Sequence, residues 1–259
     1  MKLALIPPLE LVPQHIQGRD YHMLLPVALE DTGVRRLYRD TPGHKILDNG
    51  MYEGVMWPDE LLIELALEVR PDEIIMPDIA GDFPSTYARQ MEFIQMYCKL
   101  WPKEGYSPEL MAAIQGETHH DRLQHATRLL DMKDDYQKNL GVKLSFGFPR
   151  NLIKGDDRYA RINLMEWIVR TYGKVHMHML GLPSVWPEEV LRASRQFGSF
   201  LRGMDTSAPF TWSFANATLN AATGIERPKD YFLMPAERFP SNLVAINIDQ
   251  LQRWCSGTA

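Results

Sequence analysis

Cysteine is almost absent from this chain of 259 residues. The two present, Cys98 and Cys255, lie far apart and belong to no CxxC pair. That excludes a disulfide framework and a cysteine-rich zinc site, and it fits a reducing compartment. Long apolar runs are missing as well. Leu3–Ile6 is stopped by Pro7 and Pro8, too early for the core of a signal peptide. No stretch nears the roughly 20 residues that span a bilayer, so a soluble, cytoplasmic protein is expected. Neither a GxGxxG nor a Walker-type phosphate loop is present, which removes the usual reason to prefer an open dinucleotide-binding sheet. No GxSxG elbow occurs and neither cysteine has a reactive-looking context, so serine or cysteine nucleophiles have no support.

Positive charge is also in short supply. Lys and Arg number 28 against 33 Asp and Glu, a formal net charge of −5. A protein that coats nucleic acid by charge alone is usually basic. Local patches remain: Arg35, Arg36 and Arg39; Arg150, Lys154, Arg158 and Arg161; Arg192, Arg195 and Arg202. Taken singly, each group reads as arginines on a solvated helix face.

The rest is ordinary globular material, 45% hydrophobic and 24% charged, long enough to bury a core without disulfides or metals. No repeat, linker or change of composition divides it, so residues 1–259 read as one domain. Short apolar runs recur at Leu3–Ile6, His22–Ala28, Lys45–Leu47, Glu73–Met76, Leu110–Ile114, Val142–Phe146, Val175–Leu180 and Gly203–Met204. Between several of them lie helices with apolar residues at helical spacing. Pro58, Asp59 and Glu60 open one, where a proline and acids suit the first turn. Others carry Tyr87, Met91, Ile94 and Cys98; Leu123, Ala126 and Leu130; Ile162, Met165, Val169 and Tyr172; and, after Pro187, Val190, Leu191 and Phe197. Strand–helix alternation predicts a parallel sheet. Eight strands in a chain of this size predict an α/β fold, a closed (β/α)8 TIM-type barrel. Leu9–Tyr21 is too short and proline-broken for an ordinary crossover, so the first two strands are expected to join as a hairpin or irregularly. Phe210–Phe214 and Leu243–Trp254 are expected to pack on the barrel.

In such barrels the active site sits at the C-terminal ends of the strands. Those ends carry Asp48, Asn49 and Gly50; Asp78 and Asp82; Gln115 and Gly116; Gly147 and Phe148; His178 and Gly181; and Asp205, Thr206 and Ser207. An aspartate there is often a turn or cap residue. Three in equivalent positions point instead to carboxylate chemistry, at an anomeric carbon or at a metal. For a metal, His176 and His178 share one strand face, while His119, His120 and His125 are expected on a solvated helix face. No metal site and no cofactor are expected.

In order, these segments resemble motifs of the tRNA-guanine transglycosylase family, which exchanges guanine in nucleic acid for a 7-deazaguanine on a (β/α)8 barrel. ILDNGMYEG resembles TDSGGFQ, and IIMPDIAGDFPSTYARQMEF resembles the segment whose aspartate holds the purine edge. AAIQGETHHDRL resembles the VQG segment, LSFGFPRNL the GGLSVG loop, HMHMLGLP the HLMGVG strand and RGMDTSAPF the FDCVxPTR segment. The resemblance spans Asp48 to Pro209. It implies that Asp205 is the nucleophile, Asp48 the acid/base and Asp78 the acceptor of the guanine edge. It further implies that Gln115 and the Gly147 amide bind the carbonyl edge, that Phe148, Met51 or Tyr52 sandwich the base, and that Gly116, Gly181 and Asn49 belong to the substrate-binding set.

The family's C-terminal zinc site of three cysteines and a histidine has no counterpart here, and the PTR arginine is replaced by Ala208-Pro209-Phe210. The chain therefore looks more like the phage-type DNA-guanine transglycosylases, which place 7-deazaguanines such as the 7-cyano or 7-aminomethyl form in DNA and so shield it from restriction. DNA is the implied partner. The alternatives are tRNA, a carboxylate-based N-glycosidase and a non-catalytic base-binding barrel.

Overall fold

A computed structural model of the chain describes residues 1–54, 57–100, 105–153, 157–182, 187–219 and 225–258. Lys154, grouped above with a basic patch, lies outside them. Eight parallel strands, β1 (Lys2–Leu5), β2 (Tyr21–Leu24), β3 (His44–Leu47), β4 (Glu73–Ile75), β5 (Glu109–Ala113), β6 (Leu144–Pro149), β7 (Met177–Leu180) and β8 (Leu201–Thr206), follow the order β1-β8-β7-β6-β5-β4-β3-β2. β1 lies beside β2 without a ladder among the described residues, so the sheet is a nearly closed (β/α)8 barrel. The strands read as apolar runs because helices cover the outer face while the inner face packs on itself.

The helices are α1 (Val12–Ile16), α2 (Pro26–Leu29), α3 (Thr32–Asp40), α4 (Asp59–Val69), α5 (Phe83–Leu100), α6 (His119–Leu140), α7 (Ala160–Tyr172), α8 (Pro187–Phe197), α9 (Ala208–Phe214) and α10 (Ser241–Cys255). Of the two expectations for the first connection, the hairpin fails and the irregular path stands. β1 pairs in parallel with β8 and β2 in parallel with β3, so no hairpin joins them. A 3-10 turn at Leu9–Leu11 and α1 make the connection. Pro13 lies in the first turn of α1, where no amide donor is needed, and so it starts the helix rather than breaking it. The apolar run from His22 also splits after Leu24, because Pro26 opens α2. Beyond β8, α9 and α10 pack together, and α10 lies against α8 and β1.

The barrel bottom holds a buried ionic plug. Glu73 accepts from His44 Nε2 at 2.6 Å, from Ser145 and from Arg202, and this company pulls its carboxyl down to about 2 despite full burial.

Candidate active site

The opposite end of the barrel opens into a cavity of about 420 Å³, a size common for small-molecule sites. Asp48, Asn49, Asp78, Gln115, Gly181 and Asp205 line it, as do Met51 and Tyr52. Of the expected site residues, Gly116, Gly147 and Phe148 are not brought to its wall. Gly147 lies within β6, where a Cβ would come within 2.7 Å of Leu180 Cδ1. Phe148 is fully buried. Gly116 leaves room for α6, since a Cβ there would meet Asp121 Cβ at 2.7 Å. Asp82 accepts from Ser85 N at 3.0 Å and caps α5.

The end of β3 is shaped by two aspartate/asparagine turns. Asp48 Oδ2 accepts from Gly50 N at 3.2 Å, and Asn49 Oδ1 accepts from Met51 N at 3.0 Å. Gly50 adopts φ 77°, a left-handed turn that glycine takes without strain. The turn and the site therefore coexist at Asp48. Burial pushes its carboxyl well above the ordinary range, and the charges of Glu53, Asp205 and Asp78 push the same way.

Asp78 is 7% exposed. Its Oδ1 accepts from Asn49 Nδ2 at 2.6 Å and its Oδ2 from Gln115 Nε2 at 2.5 Å. Burial raises its pKa, and these two donors oppose the rise. Asn49 Nδ2 also donates to Met76 O at 2.8 Å. Gln115 Oε1 accepts from Gly81 N at 2.9 Å and Asn151 Nδ2 at 3.1 Å. A carboxylate has about four lone-pair sites and an amide two N–H donors. Asp78 thus keeps acceptor capacity on both oxygens and Gln115 keeps one N–H, while both hydrogens of Asn49 are committed.

Asp205 closes the site from β8. Its Oδ1 accepts from Gly181 N at 3.1 Å and lies 3.0 Å from His178 Nε2. Arg161 braces this corner. It makes a bidentate pair with Glu189 (2.9 and 2.6 Å) and donates through Nη1 to Phe148 O, Leu180 O and Gly181 O. Arg161 is fully buried, so it is not part of a solvated patch. Arg202 likewise belongs to the plug under β4.

His125 overturns another expectation. It is fully buried beneath the site. Nδ1 accepts from Gln115 N at 3.0 Å, and Nε2 meets Gln90 Oε1 at 3.0 Å. Burial drives its pKa down to about 4, so the ring is neutral. The signal was available in the sequence: Arg122, His125, Ala126, Leu129 and Leu130 recur at helical spacing, and all are buried.

At the rim, Tyr52 is 55% exposed, with the guanidinium of Arg150 at 4.4 Å and that of Arg227 at 4.8 Å from its ring centre. Arg227 pairs with Glu53 at 2.6 Å. Among the described residues Arg150 pairs with no carboxylate; it donates to the Tyr52 hydroxyl. Sequence reading missed Arg227, which lies some 170 residues from its partner Glu53.

Among the described residues no three His, Cys, Asp or Glu side chains are grouped to hold a metal ion. No described helix is long and apolar enough to cross a membrane. No protein-family model matches the chain, and no curated protein matches it either.

Proposed function

We propose that this protein is a base-exchange transglycosylase that replaces guanine in DNA with a 7-deazaguanine. The observation that carries the reading is the hydrogen-bond pattern left open at Asp78 and Gln115: two acceptors beside one donor. The guanine edge offers the complement, N1–H and an exocyclic N–H beside a carbonyl. An adenine edge does not.

With the base on that clamp, Asp205 attacks C1′. The C1′–N9 bond breaks, its electron pair leaves with guanine, and a covalent aspartyl-glycosyl intermediate forms. Asp48, whose raised pKa suits a proton carrier, protonates the departing base. It then takes the N9 proton from the entering deazaguanine, which attacks C1′ and releases Asp205. The cycle is proton-neutral. A target base reaches such a cavity only from a single strand or flipped out of a duplex. Four carboxylates line the cavity, so phosphates fit only the rim, where Arg150 offers a cation that pairs with no carboxylate among the described residues.

Incorporation of labelled guanine tests the reading, run in parallel on DNA and on unmodified tRNA with wild type and Asp205→Asn. Label entering DNA with wild type alone is the expected result. Label entering tRNA alone moves the activity to RNA, and full activity in Asp205→Asn removes the assigned nucleophile.

A further inference from the structure

Asp205 is the end of a buried chain of polar groups that begins on the far side of the barrel closure. Tyr21, first residue of β2, is 2% exposed, and its hydroxyl lies 2.8 Å from His178 Nδ1. His178 is fully buried on β7, and its Nε2 is 3.0 Å from Asp205 Oδ1. Sequence separates Tyr21 from His178 by 157 residues. Space for the tyrosine ring is made by Gly203 in β8, where a Cβ would collide with the ring.

The direction of the chain follows from its members. Burial lifts the Tyr21 phenol well above its ordinary pKa, and Glu73 and Asp205 add to the effect. The hydroxyl keeps its proton. Asp205, which reacts as the carboxylate, can only accept, so His178 Nε2 turns an N–H toward it. Nδ1 of the neutral ring is left to accept from the Tyr21 hydroxyl. The Gly181 amide donates to the same oxygen at 3.1 Å. Oδ1 therefore holds two donors, whereas no donor among the described residues reaches Oδ2.

We infer that Tyr21 and His178 are positioning residues which, with the Gly181 amide, bind Asp205 Oδ1 and leave Oδ2 as the attacking oxygen. The inference rests on the transglycosylase reading. In the first step the C1′–Oδ2 bond forms as C1′–N9 breaks. In the second the C1′–Oδ2 bond breaks and its electron pair returns to the carboxylate. The two donors on Oδ1 stabilise that returning charge, so they assist departure of the carboxylate as well as its aim. They act through Asp205 and touch neither base, so base binding is independent of them.

Two measurements on full-length protein test this. Nitrogen NMR of the His178 ring reads the chain without any reaction. An Nε2–H tautomer is expected in wild type, and an Nδ1–H tautomer overturns the proposal. Exchange kinetics read the consequence. Tyr21→Phe is expected to lower kcat about tenfold and His178→Leu about a hundredfold, the scale of one lost hydrogen bond to a charged group. The KM for the free base should stay constant, and His178→Gln, which restores an N–H donor, should recover part of the loss. Binding of 7-deazaguanine to each variant checks that the barrel has folded. Wild-type kcat in a Tyr21→Phe or His178→Leu protein that binds the base overturns the positioning role. If wild type shows the Nε2–H tautomer but exchanges no base, the transglycosylase reading fails and takes the catalytic role with it. The hydrogen-bond chain then stands alone.

Discussion

Asn49 Nδ2 donates to Asp78 Oδ1 at 2.6 Å, across the gap between β3 and β4. One residue past the proposed acid/base thus holds the residue proposed to read the base. Removing the amide strips a charge-assisted hydrogen bond from a buried carboxylate. Such bonds contribute about 1.5–3 kcal/mol. Asn49→Ala is expected to raise the Asp78 pKa further and to weaken guanine binding at pH 7 roughly tenfold or more, read by calorimetric titration with guanine. Unchanged affinity would remove Asp78 from base recognition.

Asp48 sets activity against stability. Its folded pKa is raised, so folding holds its proton more tightly than the unfolded chain does. The stabilisation from that proton is fully present below the unfolded carboxyl pKa and is lost as pH rises through the folded value. Asp48→Asn, which keeps the shape and cannot ionise, is expected to raise the unfolding midpoint at pH 8 and to change it little near pH 3. The same variant is expected to lose exchange by about 10²–10⁴, the usual contribution of a general acid–base group. Calorimetry and exchange rates on one preparation check both halves.

His125 titrates with the opposite sign. Its pKa falls from 6.5 to about 4 on folding. Stability from the neutral ring is present above 6.5 and declines as pH falls from there to about 4, by about 3 kcal/mol in all. Urea unfolding across that window should show the decline in wild type. His125→Gln should make it shallower without abolishing it, because a glutamine takes up no proton while His15 and His22, whose pKa values burial also lowers, still do. An equally steep decline in the variant would assign it to other groups.

Arg150 should matter to a polymer and not to a base. Arg150→Ala is expected to weaken binding of a single-stranded oligonucleotide and to reduce the slope of log affinity against log salt by about one. Guanine affinity should stay unchanged. Titrations at four salt concentrations decide it, and an unaltered slope would mean that the phosphates pass elsewhere.

Much of the fold was legible because each parallel strand is buried on both faces and so reads as an apolar run. Ile46–Leu47, Ile74–Ile75 and Leu110–Ala113 are all fully or nearly fully buried. The site was legible for a related reason: Asp48, Asp78 and Asp205 each follow such a run, and in a parallel barrel those ends share one face. The short helix in the joint between β1 and β2 was not legible, because Pro13 reads as a breaker until its place in the helix is known. Arg161 shows the limit most clearly. In sequence it joins Arg150 and Arg158 as one more surface cation. In the fold it is fully buried, because Glu189 on the next helix faces it.

Residue order by itself determined the strand count, the side of the barrel that carries the carboxylates, and the lack of cysteine ligands for a metal. Those follow from periodicity and burial, which are local properties of the chain. Tertiary structure decided the rest. Closure of the barrel sets Tyr21 on β2 against His178 on β7, holds Asp78 between Asn49 and Gln115, and stacks His125 beneath Gln115. Each of these is a hydrogen bond between groups that no local pattern relates. The proton positions and the pKa shifts of the site depend on such bonds and on burial, and both come into being only when the barrel closes.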